Sequence, residues 1–84
     1  MTEDAKGDVR GLVEELAKVL TEKPDQVKVE EFEEEGDIVL ELTVAEEDMG
    51  RVIGKGGRTA KSLRSILAAV SEKQDRHYEL EILE

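Results

Sequence analysis

Residues 49–64 decide how this chain folds, and they read MGRVIGKGGRTAKSLR. Met49, Val52 and Ile53 have the spacing of one apolar helix face. Three of the next four residues, 54–57, are glycines, which oppose a continuous helix because their backbone is so free to leave helical dihedral angles. The stretch therefore predicts a short helix, a glycine loop and a second helix in direct succession.

Apolar residues recur at helical spacing on both sides of this segment. Upstream they run from Val9 to Leu20, and Pro24 cannot continue a helix, so a first helix is predicted over residues 8–22. After the glycine loop, a last helix is predicted to begin near Arg58. Its apolar positions share one face: Ala60, Leu63, Leu67 and Val70.

The remaining segments alternate apolar and polar residues, as strands do. Residues 27–29 and 38–44 predict a hairpin, and residues 77–83 predict a third strand, which gives the order α-β-β-α-α-β. Strands joined through helices run parallel with a right-handed crossover, whereas hairpin strands run antiparallel. We therefore expect an α+β fold in which three helices cover one face of a three-stranded mixed sheet. Phe32 is out of phase with Val27 and remains unplaced by this pattern.

The charge of the chain is unevenly distributed along its length. The 84 residues carry a formal net charge of −10, which by itself argues against nucleic acid as a ligand. Residues 50–71, however, contain no acid and five basic residues: Arg51, Lys55, Arg58, Lys61 and Arg64. This basic island carries +5, so the rest of the chain carries −15. A merely solvated helix face would not need acids to be excluded so completely.

The glycine loop has the features of an anion site. A chain of exposed N–H groups that leads into a helix N-terminus attracts phosphate, and glycine allows the close approach. A P-loop does not fit, because only three residues separate Gly50 from Gly54 and Gly56 stands where a magnesium-binding hydroxyl belongs. A dinucleotide fingerprint does not fit either, since that loop lies between a strand and a helix.

Residues 52–58, VIGKGGR, followed by Leu63-Arg64, resemble the G-x-x-G loop of a KH (K-homology) domain, which clamps the backbone of four nucleotides. The element order is similar to the type II, mostly prokaryotic KH fold. The run 50–55, GRVIGK, also resembles small stand-alone bacterial KH proteins of the KhpA type. The resemblance covers nearly the whole chain and implies a protein that binds single-stranded RNA.

The resemblance implies a role for each residue of the site. Gly54 and Gly57 correspond to the two glycines of the loop, and Lys55 and Gly56 to the variable pair that faces the sugar-phosphate backbone. The segment before the loop is expected to line an apolar groove for bases, and the other basic residues to supplement the phosphate contacts. These further residues are Val52, Ile53, Arg51, Arg58, Lys61 and Arg64.

The same resemblance implies biological context. It predicts an RNA chaperone and post-transcriptional regulator, linked to cell wall biogenesis and cell shape, that dimerises or pairs with a KH-containing partner of the KhpB type. The alternative is a protein-interaction adaptor, in which the fold serves dimerisation or partner docking and RNA contact is vestigial.

Other functions find little support in the sequence. The chain has no cysteine, and His77 has no metal ligand or nucleophile beside it in the sequence, so we expect no enzyme, no metal site and no cofactor. The acids at 30–35 are interpreted as a solvated hairpin. No apolar run is long enough to span a bilayer. We expect a single cytoplasmic domain over residues 1–84, with residues 1–7 flexible and no contact with membranes.

Overall fold

The computed structural model of the chain describes residues 8–84, so the flexibility expected for residues 1–7 lies outside the described residues. It contains three helices, three strands and three short 3₁₀ turns. The helices are α1 (Val9–Leu20), α2 (Met49–Ile53) and α3 (Arg58–Gln74). The strands are β1 (Lys28–Glu34), β2 (Asp37–Thr43) and β3 (His77–Ile82). The turns cover Pro24–Gln26, Glu46–Asp48 and Lys55–Gly57.

The three strands form one mixed sheet in the order β1-β2-β3. β1 pairs antiparallel with β2, and Val29 lies opposite Leu42. β2 pairs parallel with β3, and Leu40 lies opposite Leu80. The crossover from β2 to β3 passes through α2, the glycine loop and α3. The predicted α+β architecture, a type II KH fold with three helices on one face of a mixed sheet, is confirmed.

Helix α1 begins where its sequence predicts and ends slightly earlier. The carboxylate of Asp8 caps it by accepting a hydrogen bond from the Gly11 N–H at 3.0 Å. The helix ends at Leu20, because Thr21 is already extended, whereas the predicted end was residue 22. Pro24 then opens a 3₁₀ turn instead of a helix.

The hydrophobic core lies between the three helices and one face of the sheet. Each helix contributes buried residues, and the central strand β2 supplies Leu40 and Leu42, which have 0% exposure. The core members from the helices are Val9, Val13, Ala17, Val52, Leu63 and Leu67. Burial of these apolar side chains is the main stabilising term of the fold. None of the helices within residues 8–84 is long and apolar enough to cross a membrane.

Phe32 lies on the opposite, open face of the sheet. It pairs with Val39 across the β1–β2 ladder, and alternation along the strands places both side chains away from the helices. Phe32 is 44% exposed, while Val39 beside it is only 7% exposed. This explains why Phe32 is out of phase with Val27 and Val29. The same alternation puts six acids on this open face: Glu30, Glu34, Asp37, Glu41, Glu79 and Glu81.

Candidate nucleic-acid interface

The loop between α2 and α3 is built from backbone that favours glycine. Gly54, Gly56 and Gly57 have φ angles of 79°, 65° and 78°, in the region that side chains disfavour. The Gly54 N–H donates to the Gly50 carbonyl at 2.8 Å and ends α2, and the Gly57 N–H donates to the Gly54 carbonyl at 3.0 Å. Each glycine therefore turns the chain, so that α3 starts immediately after α2 stops.

Gly54 is required by packing as well as by its dihedral angles. A Cβ atom at this position would collide with the Thr59 hydroxyl and would lie 2.7 Å from the Thr59 backbone nitrogen. Gly56 and Gly57 differ, because a Cβ atom on either one would meet no other atom within 4 Å. The outer side of the loop is thus open space into which a ligand can approach closely.

The N-terminus of α3 faces this open space without a cap. Gly57 occupies the N-cap position, so no side chain accepts a hydrogen bond from the first turn, and that turn contains no acid. The first N–H groups of a helix have no partner inside the helix and carry the positive end of its dipole. The loop and the helix end together form a surface suited to a phosphate group.

Three cations of the basic island surround the loop and are available to a ligand. Lys55, Arg58 and Lys61 are exposed. The ion pairs formed within residues 8–84 all involve other cations. Their charges are therefore not neutralised by neighbouring carboxylates in the described part of the chain.

Arg51 differs from these three, because its guanidinium group is already paired. Its Nη2 atom lies 2.9 Å from a carboxylate oxygen of Glu22, and its Nε atom lies 3.3 Å from Asp48 Oδ1. That Arg51 supplements phosphate contacts stays a prediction. Arg51 connects α2 to the chain that leaves α1, and a phosphate would have to compete with two carboxylates for it.

Asp48 is a supporting residue that lies just before α2. It is 1% exposed, and its two carboxylate oxygens accept hydrogen bonds from the Glu22 N–H at 3.1 Å and the Lys23 N–H at 3.0 Å. With Arg51, these contacts balance the buried charge. Nothing in the local sequence signals this role, since the donors lie more than 20 residues away in the chain.

An exposed ion pair beside Asp48 strengthens the same connection. Lys23 Nζ donates to Glu47 Oε2 at 2.9 Å. This hydrogen bond, together with the charge of the partner, raises the pKa of Lys23 and lowers the pKa of Glu47. The connection between α1 and β1 is thus attached at two points to the turn that precedes α2.

The two apolar residues before the loop occupy different environments. Val52 has 0% exposure and packs into the core, so it supports the loop from inside and has no surface to offer a base. That corrects the expectation that it lines the groove. Ile53 is half-buried and lines a shallow depression with Glu46, Met49 and Glu84 near the end of β3.

A separate groove lies along the line where α3 meets β3. It has a volume of about 460 Å³ and an apolar floor that includes Leu67, Ala68 and Leu80. Arg64 spans the groove, and its Nη2 atom donates to the Leu80 carbonyl at 3.1 Å. The Ser71 hydroxyl oxygen accepts a hydrogen bond from the Tyr78 N–H at 3.0 Å. The sequence did not reveal this groove, because it depends on how the helix sits on the edge strand.

Comparisons with known proteins identify the family of the chain. The sequence model of the family described as KhpA/KhpB, KH domain, matches residues 10–82. The chain belongs to this family. The matched region includes the whole of the glycine loop, the basic island and the groove between α3 and β3.

Relatives from distant bacteria align along nearly the full length of the chain. A protein of Halalkalibacterium halodurans named RNA-binding protein KhpA is 45% identical over 76 residues, covering 90% of this chain and 100% of the relative. Proteins of the same name are 45% identical in Clostridium acetobutylicum, covering 89% and 100%, and in Aquifex aeolicus, covering 90% and 96%. No solved structure is significantly similar to the chain.

His77 has acidic neighbours in space. Asp37 lies opposite it in the β2–β3 ladder, and Glu79 follows two residues later on the same open face. The three side chains bring ligand atoms within 4.8 Å of one another, and His77 Nε2 lies 3.3 Å from Glu79 Oε2. These residues are the one set in the described chain that could hold a cation. They lie at the end of β3 opposite to the loop, where His77 and Glu79 also line the far end of the groove between α3 and β3.

Proposed function

We propose that this protein binds single-stranded RNA by holding its sugar-phosphate backbone against residues 54–57. The observation that carries the proposal is the uncapped N-terminus of α3, which opens onto glycines without Cβ atoms and is surrounded by unpaired cations. Phosphate binds such helix ends, and cations raise its affinity by releasing counterions. The RNA-binding names of the relatives support the same assignment.

The groove between α3 and β3 would receive bases. Its floor is apolar, and bases that are not stacked on one another gain by covering an apolar surface. A duplex keeps its bases inside the helix and cannot use this groove. The action is binding without catalysis, as suits an RNA chaperone or a post-transcriptional regulator in the cytoplasm.

A single site of this size contacts only a few nucleotides, so useful affinity requires a second site. We propose that the chain dimerises or pairs with a KH-containing protein of the KhpB type, since linked sites bind the same RNA at a raised effective concentration. The name of the matched family, which joins KhpA and KhpB, supports the second of these arrangements.

The proposal is tested by replacing Lys55 and Gly56 together with aspartate. The change alters the local charge by −3 where a phosphate must approach most closely. We expect affinity for a single-stranded RNA oligonucleotide to fall by at least about tenfold, because charge-assisted contacts are replaced by repulsion. Fluorescence anisotropy with a labelled oligonucleotide measures this loss.

A matched control changes the charge equally at a distance from the loop. Lys28 and Thr43 face each other on the open side of the sheet, and replacing both with aspartate also alters the charge by −3. This variant is expected to keep most of its affinity. Circular dichroism should show both variants folded, although aspartate at Gly56 costs about 1 kcal/mol for its positive φ. A folded loop variant that bound RNA like the original protein would favour the adaptor alternative.

A further inference from the structure

The outer edge of β3 carries backbone groups that the sheet does not use. Successive residues of a strand direct their N–H and C=O groups to opposite edges. The Leu83 N–H donates to Leu42 of β2, so odd-numbered residues bond to the sheet and even-numbered residues face outward. Tyr78, Leu80 and Ile82 therefore direct their backbone groups toward the groove beside α3.

Two of these outward backbone groups already form hydrogen bonds with side chains of helix α3. Ser71 accepts from the Tyr78 N–H, and Arg64 donates to the Leu80 carbonyl. The Leu80 N–H has no hydrogen-bond partner within residues 8–84. The Leu80 end of the groove thus keeps a free backbone donor, while the carbonyl of the same residue already accepts one hydrogen bond.

Arg64 determines the hydrogen-bonding character of this position. A guanidinium group has five N–H donors and no acceptor, and one of the five is used by Leu80. Arg64 forms no ion pair within the described residues, so its other donors are available to a ligand. The end of the groove nearer the loop therefore offers several donors, and its backbone acceptor at Leu80 already accepts from Arg64.

We propose that Arg64 makes this groove select a purine with a 6-oxo group, such as guanine, over a purine with a 6-amino group, such as adenine. This inference rests on the proposed RNA-binding function. Guanine presents two acceptors, O6 and N7, which suit the fork of an arginine, whereas adenine presents N7 with a donating amino group. The amino group of adenine would have to share the Leu80 carbonyl with Arg64, whose positive guanidinium group disfavours a second donor beside it.

The position of Arg64 on α3 suits this role. It lies seven residues after Gly57, so the helical rise of 1.5 Å per residue places it about 10 Å from the loop along the helix axis. A chain whose phosphate is held at the loop can therefore lay a nearby base in the groove at Leu80. Arg64 thus reads a base, in contrast to the phosphate contact that the family resemblance implied for it.

The test uses uridine octamers with one central purine, either inosine or adenosine. Inosine keeps O6 and N7, and it avoids the structures that guanosine tracts form. We expect the original protein to bind the inosine octamer about three- to tenfold more tightly, which is the effect of one net hydrogen bond. In Arg64→Met this ratio should fall to one or below, because the Leu80 carbonyl becomes free for the adenosine amino group.

Lys61→Met is the matched control, since Lys61 is an exposed cation on the same helix. It should weaken both octamers equally and leave the ratio unchanged. Arg64→Lys serves as a second variant if Arg64→Met fails to fold. Lysine keeps the positive charge and lacks the planar fork of donors, so the ratio of inosine to adenosine affinity should be clearly reduced.

The outcomes separate this inference from the proposed function. A ratio near one in the original protein, or an unchanged ratio in a folded Arg64 variant, overturns the selection by Arg64 while RNA binding stands. Failure of the original protein to bind either octamer, or the all-uridine octamer, overturns the proposed function and the inference together.

Discussion

The glycines of the loop serve different purposes. Gly54 is fixed both by its positive φ and by the Thr59 side chain and backbone that lie where a Cβ would be. Gly56 is fixed by φ alone, since the space around it is empty. The loop therefore has one glycine that packing and dihedral angle both require, and another that only its dihedral angle requires.

This difference predicts unequal costs for two alanine substitutions. Gly54→Ala should lower the free energy of unfolding by more than about 2 kcal/mol, because strain in φ adds to a steric collision. Gly56→Ala should cost only about 1 kcal/mol, which is the penalty for a left-handed residue. Urea denaturation followed by circular dichroism measures both values. Equal costs would show that Thr59 moves away without penalty.

Single residues also mark the limit of sequence-based prediction. The glycine pattern and the positive charges around it were visible in residues 49–64, and the structure places them together. The pairing of Arg51 with Glu22 could not be predicted from the sequence, because the two residues are 29 positions apart and charge alone does not identify a partner. The burial of Val52 was equally hidden, since adjacent apolar residues 52 and 53 differ only in which side of a short helix they occupy.

At the scale of elements, Asp48 positions the short helix that carries the loop. α2 has only five residues and could not persist by itself. The carboxylate of Asp48 accepts two N–H groups from the segment that follows α1 and contacts Arg51 of α2. One buried side chain thus connects α1, the turn before α2 and α2 itself.

Replacing this carboxylate should destabilise the protein strongly. Asp48→Asn keeps the size of the side chain, yet directs an amide NH₂ at a backbone N–H that needs an acceptor. A buried unsatisfied donor and the lost charge contact should cost about 2 to 4 kcal/mol, measured as the free energy of unfolding in urea. The RNA affinity of the folded fraction should fall less than in the Lys55 and Gly56 variant.

Glu47→Gln is the control for Asp48→Asn, since Glu47 is exposed and contacts the same segment through Lys23. Its effect on unfolding should be far smaller, as for other surface ion pairs. The hydrogen bond from Lys23 lowers the pKa of Glu47. The pair therefore stabilises the fold fully at pH values above the ordinary pKa of a glutamate carboxyl group. This stabilisation is lost as the pH falls through the lowered pKa. An Asp48→Asn variant no weaker than Glu47→Gln would contradict the role given to Asp48.

The order of elements could be derived from the sequence because periodicity is a local property. Helical spacing identified the buried stripe of α3, including Leu63 and Leu67, and alternation identified the inward face of β2. The contact between Arg64 and Leu80 depends on the position of α3 along β3, and a single sequence does not reveal that position. An apolar groove was expected beside the loop, but its lining by α3 and β3 was not predicted, although both elements were.

At the scale of the whole molecule, charge is divided between two surfaces. Lys55, Arg58 and Lys61 surround the loop, whereas the open face of the sheet carries six acids beside Phe32 and Val39. The net charge of −10 should repel RNA from most of the surface, so under the proposed function an approaching strand should be attracted mainly at the loop. This division would allow an acidic protein to bind the polyanionic ligand proposed for it.

The salt dependence of binding should report the number of these cations. Three unpaired cations imply about three phosphate contacts, and the single-strand rule of about 0.7 per phosphate gives a log–log slope of affinity against salt near −2. Lys61→Met should bring the slope closer to zero by about 0.7, whereas Lys28→Met, on the open face, should leave it unchanged. Titrations of a labelled single strand at several salt concentrations measure these slopes. The matching duplex should bind more weakly than the single strand, because its bases cannot enter the groove. A slope that Lys61→Met does not alter, or a duplex that binds more tightly than the single strand, would place the RNA on a surface other than the loop and the groove.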